Sequence, residues 1–122
     1  MAIPIAPNPA SNTMIRKNDF PGLSRYGAFS FSIGNYGYAG GGVHYVTGEP
    51  SPQCLYDVYR YDPVTDQWTY IGIFPGGYNK MYCYSFVVGS KAYLIGGFNY
   101  CNSTLQSDVW EFYDSQASDT SR

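Results

Sequence analysis

Gly34-Asn35-Tyr36-Gly37-Tyr38-Ala39-Gly40-Gly41-Gly42 recurs as Gly89-Ser90-Lys91-Ala92-Tyr93-Leu94-Ile95-Gly96-Gly97. Each copy leads to a second matching stretch, Asp57-Val58-Tyr59-Arg60-Tyr61-Asp62 in the first and Asp108-Val109-Trp110-Glu111-Phe112-Tyr113 in the second. The glycine pairs are 55 residues apart and the Asp-Val pairs 51. A period of this size is the mark of stacked repeats, none of which can bury its hydrophobic face alone. Two units fall short of a stable array, so the duplication bears on assembly before it bears on chemistry.

At 122 residues the chain has the size of one domain or of a piece of a larger one. Aromatics reach 19% and include 14 Tyr, whereas charged residues are only 13%. Tyr and Phe favour pleated, half-buried surfaces, and 14 Gly with 8 Pro supply frequent turns. The class is therefore all-β. A net charge of −2, with seven Lys and Arg scattered along the chain, gives no footprint for nucleic acid. Residues 1–12 read as an extended, proline-rich arm, since three prolines within residues 1–10 break any apolar run. They form neither a secretory signal nor a membrane span. Three cysteines, Cys54, Cys83 and Cys101, lack metal-ligand spacing. Free thiols are the expectation, with a Cys54–Cys101 bridge as the alternative because both precede the third strand of their repeats.

Alternation and turn residues draw the strands. Ala28 to Ile33 alternates large apolar with small residues, and Gly34-Asn35 turns it into a hairpin whose return runs from Tyr36 to Gly41. A long loop, Gly42 to Cys54, leads to a third strand from Leu55 to Tyr61. Asp62-Pro63-Val64-Thr65-Asp66 has turn chemistry, Gln67 to Ile71 is the fourth strand, and Phe74-Pro75-Gly76-Gly77 ends the unit. Tyr82 to Val88 opens the next.

The glycine pair, the tyrosine-rich strand, the Tyr61-Asp62-Pro63-Val64-Thr65-Asp66-Gln67-Trp68 turn and the Phe74-Pro75-Gly76 exit together resemble the kelch repeat. In that family each repeat is one four-stranded blade of a β-propeller. The likeness covers residues 13–114, with blade 1 at 24–77 and an incomplete blade 2 at 78–114. Residues 115–122 read as a polar tail with no fourth strand. Thr13 to Gly22 aligns with Gln67 to Gly76 through Phe20-Pro21-Gly22, 54 residues before Phe74-Pro75-Gly76. Residues 13–23 are thus an orphan fourth strand with its exit loop. The resemblance implies that a neighbouring subunit's N-terminal strand completes the second blade. Met14 and Ile15 on the donated strand, with Val109 and Phe112 on the acceptor, are the closure residues.

Copies joined head to tail close into rings when the rotation fits, and propellers have four to eight blades. A homotrimer of six blades is expected, with a tetramer of eight as the alternative and a fragment of a larger kelch protein as a third reading. The N-terminal arm is expected to dock on another protein.

No enzyme is expected. The copper-radical site of galactose-oxidase-type kelch propellers needs two His, whereas this chain has one, His44. Three copies of His44 could meet on an axis metal only if the loops bent to it, so no metal and no cofactor is assigned. Gly40-Gly41-Gly42 opens a loop and not a helix, which excludes a dinucleotide site. The resemblance puts the loops after the second and fourth strands on one side, presenting His44, Tyr45, Tyr78, Asn79, Asn99, Tyr100 and Asn102. Tyr and Asn mixtures suit glycan stacking or protein recognition. Two functions remain open. One is a structural oligomer, such as a fibre, spike or decoration component of a bacteriophage virion or similar extracellular assembly. The other is a stand-alone lectin-like or protein-binding module. If the virion reading fails, the cytoplasm is the expected location.

Overall fold

In the computed structural model residues 11–117 are described; most of the proline-rich arm and the last five residues of the polar tail lie outside them. The first hairpin joins β1 (Phe29–Ile33) to β2 (Tyr36–Gly40). The following loop holds a two-residue ladder of β3 (Val43–His44) and β4 (Gln53–Cys54). Next come β5 (Asp57–Asp62) and β6 (Gln67–Ile73), completing an antiparallel sheet of order β1-β2-β5-β6. A second antiparallel sheet follows, β7 (Tyr84–Val88), β8 (Lys91–Asn99) and β9 (Thr104–Tyr113), in the order β7-β8-β9. The expected all-β repeats are present, one with four strands and one with three among the described residues.

The boundaries differ from the sequence expectation for identifiable reasons. Leu55 precedes the third strand because its N–H is taken by Gly42 O, and its side chain is buried. The fourth strand continues to Ile73 because a bulge between Val58 and Tyr59, opposite Gly72 at φ +142°, absorbs one residue without ending the ladder. In the second repeat pairing starts at Tyr84, since Tyr82 has φ +55° and only Met81 bridges to Phe98. Residues 13–23 form no ladder among the described residues. Within them Met14 is 99% exposed and Ile15 is exposed as well.

Alternation decides which face each strand buries. Phe29, Phe31 and Ile33 share a face with Tyr38 and Val58, and this face packs on Ala92, Leu94, Trp110 and Phe112 of the second sheet. Phe29, Val58, Phe74 and Leu94 form one cluster, and Ile33, Tyr36, Tyr38 and Ala92 another. Each large apolar side chain buried there contributes about 1.5–3 kcal/mol. One edge of the interface is sealed by Asp114, which accepts from Tyr38 Oη at 2.6 Å and Arg60 at 2.9 Å. Burial and the neighbouring Asp114 carboxylate hold the Tyr38 hydroxyl well above its usual range. Burial opposes ionisation of Asp114, but the bonds from Tyr38 and Arg60 outweigh it and hold the carboxyl below its ordinary range.

Candidate functional site

The loops gather on one side, and polar side chains lace them together. Each repeat opens with a cation that reaches the carbonyl of its glycine pair and the Asp of its Asp-Val pair. Arg25 donates to Gly41 O at 3.2 Å and to the Asp57 carboxylate at 2.6 and 2.9 Å. Lys80, wholly buried, donates to Gly96 O at 2.5 Å, Gln106 Oε1 at 3.0 Å and Asp108 at 3.0 Å. Asp108 also accepts from the Trp110 indole. Burial works against ionisation of Asp57 and Asp108, yet their partners outweigh it and both carboxyls stay below the usual range. The glycines make this approach possible. Gly41 and Gly42 have φ +64° and +78°, and a Cβ on them would lie 2.5 Å from Lys80 O and from Tyr26 O.

Asn79 is the joint between the repeats. Its amide donates to Gly42 O and Leu55 O, both at 3.0 Å, and its Oδ1 accepts from Tyr100 N at 2.9 Å. Asn99 is buried and accepts from Cys101 N, and Tyr78 packs against Phe74 and Trp110. Three of the residues expected to face a ligand are therefore spent on structure. His44 brings Nδ1 to 2.6 Å from Ser24 O; since that carbonyl only accepts, Nδ1 carries the proton. Tyr45, Asn102 and the half-buried Tyr100 remain at the surface of the loop face. Among the described residues no group of three His, Cys, Asp or Glu could hold a metal ion.

The free-thiol expectation is corrected. Cys54 and Cys101 are bonded, with Cα atoms 6.2 Å apart, and only Cys83 is free. The β3–β4 ladder brings Cys54 beside the Tyr100–Ser103 turn, a proximity that spacing alone could not fix. The bridge adds a covalent link between the repeats to the hydrogen-bonded joint at Asn79. The Arg25 and Lys80 roles were missed in the sequence, although a signal existed: the two cations stand 55 residues apart, the same interval as the glycine pairs.

The closure residues divide. Phe112 packs on Phe31 and Tyr38 of the same chain, whereas Val109, on the opposite face of β9, is exposed. Phe20 lies edge-on to Tyr59 at 4.8 Å and to Trp68 at 5.1 Å. In the next repeat Phe74 lies in the same way against Trp110, at 5.0 Å. Asn18 N–H and its side-chain amide reach Asp66, and Trp68 Nε1 donates to Asn18 O. Trp68 is thus half-buried on the outermost strand and not deep in the blade.

Residues 25–75 match the family model described as the kelch motif. Fifty-one solved chains are similar to this one. One of them, described as "Structure of YjhT", is 31% identical with a TM-score of 0.58, over 68% of this chain and 24% of that one. The chain therefore spans about a quarter of the length of that protein. No curated protein matches it. With a kelch motif spanning one four-stranded sheet and a second sheet built on the same glycine pair and cation, the chain is a kelch-repeat protein.

Proposed function

We propose that this protein is a non-enzymatic structural and binding subunit whose copies assemble into a kelch propeller, as a fibre, spike or decoration component of a virion or similar assembly. One observation carries the reading. The second sheet ends at β9 without a fourth strand among the described residues, while Thr13 to Asp19 leads without a ladder into Phe20. Phe20 sits on Tyr59 as Phe74, which directly follows a true fourth strand, sits on Trp110. This likeness supports reading the segment before Phe20 as the fourth strand of a preceding blade. An unpaired edge strand templates pairing with another chain, and a strand donated by a copy satisfies both at once. The Cys54–Cys101 bond supports a place in an oxidising, extracellular setting. Six blades from three copies is the expected ring, eight from four the alternative.

Light scattering of the intact chain and of a deletion of residues 1–17 tests this. The intact chain should run as a trimer or tetramer and the deletion as a monomer. An intact chain that is monomeric, or a deletion of unchanged assembly state, overturns the ring.

A lectin-like role is favoured by a separate observation. Tyr45, Tyr100 and Asn102 lie on a loop face stiffened by the disulfide and by Asn79. Rings of this kind stack on sugars at low entropy cost. A glycan array on the intact protein should give hits that Tyr45→Ala and Tyr100→Ala lose without unfolding. An empty array on the intact protein removes the reading.

A further inference from the structure

The two repeats carry the same face, buried in one and open in the other. Counting from the glycine pairs and the Asp-Val pairs, Tyr84 stands where Phe29 stands in the first repeat, Val88 where Ile33 does, and Val109 where Val58 does. Phe29, Ile33 and Val58 are 3%, 1% and 8% exposed; Tyr84, Val88 and Val109 are 80%, 63% and 57% exposed. Phe86 and Ile95 extend this open apolar face of the β7–β9 sheet. Apart from Lys91 and Glu111, which pair with each other at 3.6 Å, the face is apolar and aromatic, as an inter-blade core is.

The reverse holds on the other sheet. Ala92, Leu94 and Trp110 pack on the first sheet, and their counterparts Gly37, Ala39 and Tyr59 lie on the face of β1–β6 turned away from the second. The complementary half of the same core is therefore also present, small residues on the inner strands and an aromatic further out, with Phe20 against Tyr59 as Phe74 is against Trp110. The backbone repeats the match. Gly42 N–H donates to Lys80 O at 3.0 Å where the second repeat enters the first. At the equivalent Gly97 a groove lined by Tyr82, Tyr84, Phe98 and Leu105 lies open beside the glycine pair. The segment that would enter it from a second copy is Ser24-Arg25, the counterpart of Asn79-Lys80.

We propose that the open face of the β7–β9 sheet docks against the outer face of the β1–β6 sheet of a second copy of this chain, reproducing between subunits the packing that joins the two repeats within one. This rests on the assembly reading above and adds which surfaces meet. The junction is heterologous, since each copy offers two different faces, and such junctions close into rings or run on as filaments.

Two variants spoil one face each. Val109→Glu puts a charge on the β7–β9 face at an exposed position. Gly37→Glu does so on the outer β1–β6 face, where a Cβ meets no atom within 4 Å and φ is not positive. Near-UV circular dichroism checks that each stays folded. Each variant alone should be a monomer by light scattering, and an equimolar mixture should give a one-to-one dimer, because one intact junction remains between them. If the wild type assembles but either variant keeps its mass, or if Gly37→Glu pairs with itself, or if the mixture stays monomeric, this docking is wrong while the assembly reading stands. A monomeric wild type, whose open face would then belong to another protein or to further blades, overturns both. Should Val109→Glu fail to fold, Tyr84→Glu replaces it, at the most exposed of these positions.

Discussion

The wholly buried ammonium of Lys80 ends 3.0 Å from the Asp108 carboxylate, which keeps 27% of its side-chain surface in water. The asymmetry sets what each half is worth. Removing Asp108 strands a cation in the interior with Gly96 O, Gln106 Oε1 and the face of the Tyr78 ring to hold it, and breaking such a pair from the exposed side costs about 3 kcal/mol. Removing Lys80 leaves a carboxylate that still has water and the Trp110 indole. Asp108→Asn is therefore expected to lower stability more than Lys80→Met in urea titrations. Equal losses, or the reverse order, would mean that the lysine is hydrated in solution.

Acid should act through four carboxylates. Asp57, Asp66, Asp108 and Asp114 all titrate below the usual range in the folded state, so each binds fewer protons folded than unfolded. Their contribution is complete above the unfolded value, about 4, and is lost as pH falls through the lower folded values. The melting temperature should hold near neutrality and drop below about pH 4. Asp114→Asn should melt lower at pH 7 and fall less steeply in acid. A variant as acid-sensitive as the parent would remove Asp114 from the account.

The disulfide closes a loop of 47 residues, for which loop-closure entropy gives about 4 kcal/mol as an upper figure. Cys54→Ser should lower stability by about 2–4 kcal/mol, and reductant should destabilise the parent but not the variant. Alkylation followed by mass measurement should count one reactive thiol, Cys83, before reduction and three after. Three labels on the unreduced, unfolded protein would show that the bond does not form.

The blade was legible in the sequence because its determinants are local. Period-2 alternation over Phe29–Ile33, the Gly34-Asn35 turn and the Tyr61-Asp62-Pro63 turn each act within a few residues, and the strands appear where they point. The candidate ligand residues were less legible, since Asn79 and Asn99 are consumed by contacts across 21 residues or more or by their own turn. Amide side chains in loops look alike whether they face solvent or cap a buried carbonyl. The Cys54–Cys101 pairing depended on a two-residue ladder inside a loop, too short to announce itself by alternation. The packing of Trp68 was not legible for a similar reason: its neighbours Phe20 and Asn18 come from a segment some fifty residues away.

That last contact supplies the remaining prediction. Phe20 and Trp68 meet edge to face at 5.1 Å with planes 83° apart, and the Trp68 indole also donates to Asn18 O. Aromatic pairs of this geometry contribute roughly 0.5–1.5 kcal/mol beyond their buried area. Because Trp68 is only half-buried, Trp68→Ala should cost less than the 3–5 kcal/mol of a core tryptophan. Phe20→Ala should cost something comparable, since the ring also covers Tyr59 and lies under Arg25. The double variant should be more stable than the sum of the singles predicts, by about 1 kcal/mol. Additive losses would mean that residues 18–20 leave the blade in solution, and the proposed strand donation would lose its anchor.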